Sequence, residues 1–275
     1  MTVVDKPLLL GAETEYPDQY SPQLLQPIAR SEGRQALGLE GEPKFFGFDL
    51  WTGYELSWLD MRGKPVVAVV EISMPCHTEN LVESKSLKLY LNSLNQERYH
   101  SPQDVATLLE KDISACVNGP VQVGIHPADT FRHRGIGSFP GTCLDELPIE
   151  VDSYSPDATL LALTGQREVV TESLYSHLLK TNCPVTGQPD WASILIRYTG
   201  WPIEHEGLLR YLISFRNHQD FHEQCVERIF TEINELCAPD QLEVYARYTR
   251  RGGLDINPYR SSIKSDAPRI RLSRQ

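Results

Sequence analysis

The spacing of apolar positions changes along the chain, and each spacing predicts a type of secondary structure. Residues 64–73 are almost continuously apolar and β-branched, which is typical of a buried strand. From Ser101 onward, apolar residues recur at helical spacing behind an N-cap serine and a proline in the first turn. This helix should end near Asn118, and residues 121–125 predict the next strand.

The second half of the chain has the same mixture of spacings. Strands are predicted at residues 159–164, 169–179, 191–198 and 242–248, and helices at 206–217 and 221–237. Residues 1–60 are only weakly periodic, with short strands expected near 45–48 and 51–58. Residues 131–157 are rich in Arg, Gly, Pro and acids without periodicity, which indicates a connection between two domains. The pattern predicts an α+β protein with domains at 1–145 and 146–275.

The two halves also match each other at an offset of 122 residues. The matched pairs are Leu87 with Leu209, Lys88 with Arg210, Asn95 with Asn217, Tyr99 with Phe221, and His100 with His222. A chance similarity over so short a stretch is the alternative. A duplication predicts that each half is a module of two strands, two helices and two strands.

Composition narrows the class of protein. The chain has 275 residues, of which 40% are hydrophobic and 23% charged, and it has no apolar run of about 18 residues that would predict a membrane span. The N-terminus lacks a basic leader, so we expect a cytoplasmic protein. The six cysteines should be reduced in that compartment. Because no two of them form a C-x-x-C pair, we do not expect a zinc site. A net charge of −11 argues against a general nucleic-acid surface.

The loop at residues 181–190 is the strongest candidate for chemistry. It contains Cys183 and Asp190, separated by two prolines and a glycine that favour a bend rather than a helix. A thiolate is a nucleophile, and a neighbouring acid can hold or take the thiol proton. The alternative is a buried loop cysteine beside a turn aspartate, because free cysteines are often buried.

Three further motifs carry polar groups at the ends of predicted elements. They are Glu83-Ser84-Lys85-Ser86-Leu87-Lys88, Phe221-His222-Glu223 and Arg250-Arg251-Gly252-Gly253. A buried carboxylate in such a motif can accept hydrogen bonds from the edge of a guanine-type base, and an arginine can pair with a phosphate. Solvated helix starts and surface arginines are the alternatives. The glycine pattern at 135–137 does not open a dinucleotide-binding motif.

Together, the four motifs and their order resemble the NADPH-dependent nitrile reductases of queuosine biosynthesis, the QueF family in its long, two-module form. The resemblance covers nearly the whole chain. It implies tandem tunnelling-fold (T-fold) modules, which are antiparallel sheets with helices packed on one face. It also implies that 7-cyano-7-deazaguanine is reduced to 7-aminomethyl-7-deazaguanine by two NADPH.

The resemblance also implies roles for individual residues. Cys183 would form a covalent thioimide, and Asp190 would donate a proton. The deazapurine-binding residues would be Glu83, Ser84, Lys85, His222 and Glu223. The NADPH contacts would be Lys85, Ser86, Arg251 and Gly252, with no metal. The expected partners are the small-molecule substrate and a second copy of the chain in a homodimer, with neither nucleic acid nor membrane bound directly.

Two other functions remain open at this point. A zinc-dependent cyclohydrolase related to the GTP cyclohydrolases would need convergent Cys and His ligands, and neither Cys76-His77 nor Cys143 offers paired spacing. A binding module for purine-like ligands or a protein would use Glu83 and Glu223 but leave Cys183 without a role.

Overall fold

The structure is a computed structural model that describes residues 17–39, 41, 43–131 and 135–275. The first sixteen residues of the weakly periodic N-terminal segment therefore lie outside the described residues. The helices are α1 (Arg30–Ala36), α2 (Ser84–Asn92), α3 (Pro102–Val117), α4 (Ala128–Phe131), α5 (His205–Ser214) and α6 (His222–Cys237). None of these helices has the length and apolar character needed to cross a membrane.

Most strands join one mainly antiparallel sheet. The strands are β1 (Pro27–Ala29), β2 (Phe46–Leu59), β3 (Pro65–Pro75), β4 (Asn80–Val82), β5 (Gln122–Pro127), β6 (Ile136–Gly137), β7 (Thr142–Cys143), β8 (Val170–Ser176), β9 (Lys180–Asn182), β10 (Pro189–Gly200), β11 (Gln241–Tyr248), β12 (Leu254–Ser261) and β13 (Arg271–Leu272). The order in the sheet is β5-β3-β2-β12-β11-β10-β8-β7, with β9 on β10. The halves join where β12 pairs with β2, so a continuous sheet runs through both.

The long helices cover one face of this sheet. In β10, Ile194 packs into the core beneath α5 and α6, whereas the next residue, Leu195, faces the opposite side. The same alternation places Val244 of β11 under the helices and Tyr245 on the other face, as expected for strand geometry. The fold is therefore α+β with the long helices on one face.

The two halves carry matching pairs of helices. Helices α2 and α5 are each capped by a glutamate, Glu83 and Glu204, whose side chains accept backbone N–H groups of the first turn. Helices α3 and α6 have sixteen residues each and are followed by Asn118 and Ala238, which have φ of 49° and 43°. In the main sheet, two strands, β11 and β12, follow the helices of the second half. In the first half, β5 follows the helices directly, and the two-residue β7 joins the opposite edge of the sheet, beside β8.

Three sequence predictions differ from the observed elements. The short strands expected near 45–48 and 51–58 form one strand, β2. The strand expected at 159–164 is wrong, because Asp157 caps a 3₁₀ turn at Ala158–Leu160 through Thr159 N–H. Residues 242–248 do not end the second half, because β12 follows them.

A buried cluster of charges lies where the two halves meet. Arg260 of β12 contacts Asp49 of β2 and Glu227 of α6, both at 2.8 Å. Arg30 and Arg34 of α1 complete the cluster, at 2.6 Å from Asp49 and 2.8 Å from Glu227, respectively. Removing one member of such a buried network costs about 3–5 kcal/mol, since its partner is left as an uncompensated charge. The cluster holds α1 and α6 against the central strands.

Candidate active site

A pocket on the helix face of the sheet collects residues from both halves of the chain. The first half of the chain contributes residues of β2 and of the start of α2. The second half contributes residues of the β9–β10 loop, the start of α6 and the β11–β12 turn. The lining residues are Trp51, Val82, Glu83, Ser84, Lys88, Cys183, Pro184, Asp190, Asp220, Phe221, His222, Glu223, Thr249, Arg251, Leu254 and Ile256.

The loop that carries Cys183 is a tight turn closed at its base by β9 and β10. Backbone hydrogen bonds connect Cys183 N–H to the carbonyl of Gln188 and Gly187 N–H to the carbonyl of Cys183, both at 2.9 Å. Gly187 has a φ of 69°, a conformation that favours glycine. Cys183 is 5% exposed. The turn therefore holds the thiol in a fixed position at the wall of the pocket.

The surroundings of Cys183 favour the thiolate. Burial by itself raises the pKa of a thiol. Here it is outweighed by hydrogen bonds from the Thr186 hydroxyl, from the N–H groups of Thr186 and Val185, and from Arg251, which leave the pKa of Cys183 below its usual value. By contrast, burial raises the pKa of Cys225 to about 12. Cys183 is thus set up as a nucleophile and Cys225 is not.

Asp190 lies at the start of β10, opposite Thr181 of β9. Its two carboxylate oxygens have different partners. Arg251 Nη1 lies 3.1 Å from Oδ1, and His222 Nε2 lies 3.3 Å from Oδ2. Asp190 is therefore connected to Cys183 through their common neighbour Arg251. It begins a strand and does not lie within the loop as expected.

The ring of His222 is held in place by Tyr248. The two rings stack with centroids 3.7 Å apart and planes at 1° to each other. His222 Nδ1 is buried and has no hydrogen-bond partner in the described part of the protein, so it is available to a ligand. The imidazole can contact a ligand on one side while Nε2 faces Asp190.

Glu223 is a buried carboxyl group in the first turn of α6. Burial, together with the nearby Asp49 carboxylate, raises the pKa of Glu223 to about 8. The indole N–H of Trp51 donates a hydrogen bond to its Oε1 at 3.1 Å. A carboxyl group with so perturbed a pKa in a pocket is a candidate for ligand recognition. Trp51 was not predicted, since its place in β2 gives no sign of a polar role.

Glu83 is fixed by its position as the N-cap of α2. Its carboxylate accepts hydrogen bonds from the backbone N–H groups of Lys85 at 2.8 Å and Ser86 at 2.7 Å. Ser86 is fully buried, and its hydroxyl donates to the Glu83 carbonyl and accepts from Gln26 N–H. Ser84 lines the pocket beside Glu83. Ser86 therefore supports Glu83 and does not face the pocket.

A second cavity adjoins the pocket and shares Lys88 and Leu254 with it. Gly252 and Gly253 line this cavity. At Gly252, with a φ of 60°, an added Cβ would lie only 3.3 Å from Lys88 Nζ. Burial and the neighbouring Arg251 lower the pKa of Lys88. The charged residues that line this cavity are Lys88 and Glu55, and Arg251 lies beside it in the main pocket.

The structure brings most of the predicted site residues together. Those that line the pocket are Glu83, Ser84, Cys183, Asp190, His222, Glu223 and Arg251. Gly252 lines the adjoining cavity, whereas Lys85 and Ser86 line neither. Lys88, within the first motif but not assigned a role, lines both. Their individual roles remain predictions.

The convergent metal ligands expected of a cyclohydrolase do not occur in this pocket. Within the described ranges, one group of three or more His, Cys and acidic side chains has ligand atoms close together, namely Cys143, Asp145 and His177. These three residues are not among those that line the pocket. The pocket thus combines the thiol of Cys183, the imidazole of His222 and four carboxyl groups, those of Glu83, Asp190, Asp220 and Glu223.

Comparison with known families gives matches in both halves of the chain. Residues 16–125 match the family described as nitrile reductase, 7-cyano-7-deazaguanine-reductase N-term, and residues 189–267 match the family described as QueF-like protein. A solved structure titled archaeosine synthase QueF-Like in the apo form matches 36% of this chain and 99% of its own at 14% identity. Its TM-score of 0.31 is too low to support an argument about fold.

Two curated proteins are similar over nearly their full lengths. The NADPH-dependent 7-cyano-7-deazaguanine reductase of Bordetella avium (strain 197N) is 52% identical over 98% of this chain and 97% of its own. The protein of the same name from Azoarcus sp. (strain BH72) is 53% identical over 92% of this chain and 90% of its own. The chain belongs to the 7-cyano-7-deazaguanine reductase family.

Proposed function

We propose that this protein reduces the nitrile of 7-cyano-7-deazaguanine to the aminomethyl group, using two NADPH and a covalent thioimide on Cys183. The observation that carries the proposal is the placement of Cys183, with its lowered pKa, in one pocket with Asp190 and the buried carboxyl group of Glu223. A nitrile carbon is electrophilic, and a thiolate is the side chain best suited to attack it near neutral pH.

The two buried carboxyl groups suit the guanine-like edge of the substrate. That edge presents an N–H and an amino group as neighbouring donors. Glu223 retains free acceptor sites beside the Trp51 bond, and Glu83 retains sites beside its two backbone bonds. A base without these donors would leave acceptor oxygens of the buried carboxyl groups unpaired, so the site would reject it. Ser84 and His222 would contact the same ligand, with Lys85 at its outer side.

The first step is addition of the Cys183 thiolate to the nitrile carbon. The sulfur–carbon bond forms as one π bond of the nitrile breaks, and the nitrogen takes a proton to give a C=N–H thioimide. Asp190 is the proposed proton donor. Its Oδ2 lies 3.3 Å from His222 Nε2, so that pair can hold the proton before transfer.

The remaining steps return Cys183 to its starting form. The thioimide carbon accepts a hydride and its nitrogen a proton, and the sulfur–carbon bond then breaks as the nitrogen lone pair forms a protonated imine. A second hydride, added to the imine carbon, completes the amine. NADPH supplies the two hydrides. Arg251 stabilises both the attacking and the departing thiolate, because its side chain hydrogen-bonds to Cys183.

Lys88, which lines the second cavity, and the neighbouring Arg251 supply positive charge for an anionic cofactor. We propose that Arg251, Gly252 and Lys85 hold NADPH, with Lys88 added because it approaches Gly252. Ser86 is assigned instead to holding Glu83, since its hydroxyl is buried and already has two partners.

The proposal extends to the domain architecture, the oligomeric state and the cellular compartment. We propose that residues 1–145 and 146–275 are the two T-fold modules. Among the described residues, β5 ends the main sheet and pairs with β3 alone, so it is a template for pairing with a second copy in a homodimer. The six cysteines are free, which suits a reducing cytoplasm. The product would serve queuosine tRNA modification as a free base, without direct nucleic-acid binding.

Turnover of the purified protein tests the proposed function. We expect consumption of two NADPH for each 7-cyano-7-deazaguanine and no consumption by Cys183→Ala. The matched control, Cys116→Ala, changes a cysteine outside the pocket and should retain activity. Activity retained in Cys183→Ala would contradict the covalent mechanism. Substrate binding without NADPH consumption in the wild-type protein would support the binding module instead.

A further inference from the structure

A second cluster of chemically distinctive side chains lies away from the pocket. Cys143 ends β7, Asp145 follows in the next turn, and His177 follows β8 directly. One potential ligand atom from each, a thiol sulfur, a carboxylate oxygen and an imidazole nitrogen, lies within 4.8 Å of the others. All three residues are partly exposed, so an ion from solvent can reach them. The cysteine in this group is one that the nitrile reductase reaction does not use.

Neighbouring groups hold these side chains in position. Ser176 Oγ donates to Asp145 Oδ1 at 2.6 Å, and the backbone N–H of His177 approaches Asp145 Oδ2 at 3.1 Å. His177 Nδ1 lies 2.7 Å from Ser193 Oγ. When Nδ1 donates to that hydroxyl, Nε2 carries the lone pair that a metal ion requires. Such partners orient metal ligands in known sites and raise their affinity.

We propose that Cys143, Asp145 and His177 bind one Zn²⁺ ion per chain, with water as the fourth ligand. Thiolate and imidazole together favour zinc over magnesium or calcium, which prefer oxygen ligands. Ligand atoms of a tetrahedral zinc site lie roughly 3.5 Å apart, given zinc bonds of about 2.0–2.3 Å. The three groups therefore need only a small contraction, and the thiol releases its proton as the ion binds.

The proposed ion would act as a structural link. It joins the segment between the two halves, at Cys143 and Asp145, to the end of β8. Strand β7 has two residues and, in the part of the chain that the structure describes, is paired only with β8 in the main sheet, so this segment is weakly attached to the sheet. His177 also lies six positions before Cys183 and contacts β10 at Ser193. Zinc binding would thus stabilise the base of the strands that carry Cys183 and Asp190.

Cobalt substitution tests the site without relying on enzyme activity. The full chain would be treated with a chelator, dialysed and titrated with Co²⁺ and then Zn²⁺. We expect one equivalent of Co²⁺ to produce a sulfur-to-cobalt charge-transfer absorption and tetrahedral d–d bands, which Zn²⁺ then abolishes. Cys143→Ser should lose the charge-transfer absorption, whereas Cys116→Ser, the control at another partly exposed cysteine, should keep it.

A second measurement covers the case in which a variant folds poorly. One equivalent of Zn²⁺ should raise the Tm of the wild-type chain and of Cys116→Ser, but not that of His177→Gln or Asp145→Asn. Circular dichroism of each apo variant shows whether it is folded. Absence of a charge-transfer band in the wild-type chain, or an equal band in Cys143→Ser, would overturn the proposal.

Discussion

Arg251 Nη1 lies 3.1 Å from Asp190 Oδ1, and the same arginine side chain hydrogen-bonds to Cys183. The guanidinium therefore connects the proposed nucleophile to the proposed proton donor. Arg251 lies in the β11–β12 turn, whereas Cys183 and Asp190 lie at the ends of β9 and β10. The relative positions of these three side chains depend on the pairing of β10 with β11, which places Ala192 opposite Tyr248.

Arg251→Gln should make Cys183 less reactive. Loss of the charged hydrogen bond, worth about 1.5–3 kcal/mol, raises the pKa of the thiol and lowers its alkylation rate near neutral pH by tenfold or more. Mass mapping of iodoacetamide-treated protein across a pH series measures this rate at Cys183. Arg250→Gln is the matched control, because that guanidinium stacks 4.3 Å over Tyr54. Identical pH profiles for the two variants would contradict the role of Arg251.

Thr186→Val should show the contribution of a single hydroxyl to the thiolate. The hydroxyl hydrogen bond to Cys183 is lost, while the backbone bonds from Val185 and Thr186 remain. We expect thioimide formation near neutral pH to slow by roughly fivefold to tenfold, in line with about 1–1.5 kcal/mol for one hydrogen bond. Stopped-flow mixing with substrate measures the rate. Thr186→Ser keeps the hydroxyl and should react at nearly the wild-type rate. Equal slowing of both variants would show that packing, not hydrogen bonding, is responsible.

Glu223→Gln should change the pH dependence of stability. In the unfolded chain this carboxyl group ionises near pH 4.3, but in the folded protein only near pH 8. Between these values the folded state binds more protons, so the free energy of unfolding falls as pH rises, by at most about 1.4 kcal/mol per unit, and levels off above pH 8. Glu223→Gln lacks this carboxyl group, so its free energy of unfolding should fall less steeply between these pH values.

Urea unfolding at pH 5, 6, 7 and 8 measures the effect. Glu235→Gln, on the exposed side of the same helix, is the control and should follow the wild-type slope. A slope unchanged in Glu223→Gln would mean that Glu223 is already ionised in the folded protein at pH 5.

Local patterns predicted much of the site. A bend rich in proline and glycine indicated the Cys183 loop. Helix-start signals placed Glu83 and Glu223 at the starts of α2 and α6, where a side chain is held by its own helix. These features depend on neighbouring residues in the chain. The predicted helices 206–217 and 221–237 agree with α5 and α6 for the same reason, since their apolar stripes are regular.

The parts of the fold and of the site that local patterns did not predict depend on contacts between residues far apart in the sequence. Strand β12 is fully buried, yet it contains Asp255, Asn257 and Arg260, so its sequence lacks the apolar pattern of a buried strand. Its polar side chains are satisfied by β2 and α6, as with Arg260 on Asp49 and Glu227. The role of Trp51 follows from the same long-range pairing, which no local pattern predicts.

The most direct test of the account is the intact mass of the protein mixed with 7-cyano-7-deazaguanine in the absence of NADPH. We predict one covalent equivalent of substrate on the wild-type protein and on Cys116→Ala, and none on Cys183→Ala. The adduct should disappear when NADPH is added, as the thioimide is reduced. An adduct that persists on Cys183→Ala, or no adduct on wild-type protein that demonstrably binds the substrate, would contradict Cys183 as the nucleophile.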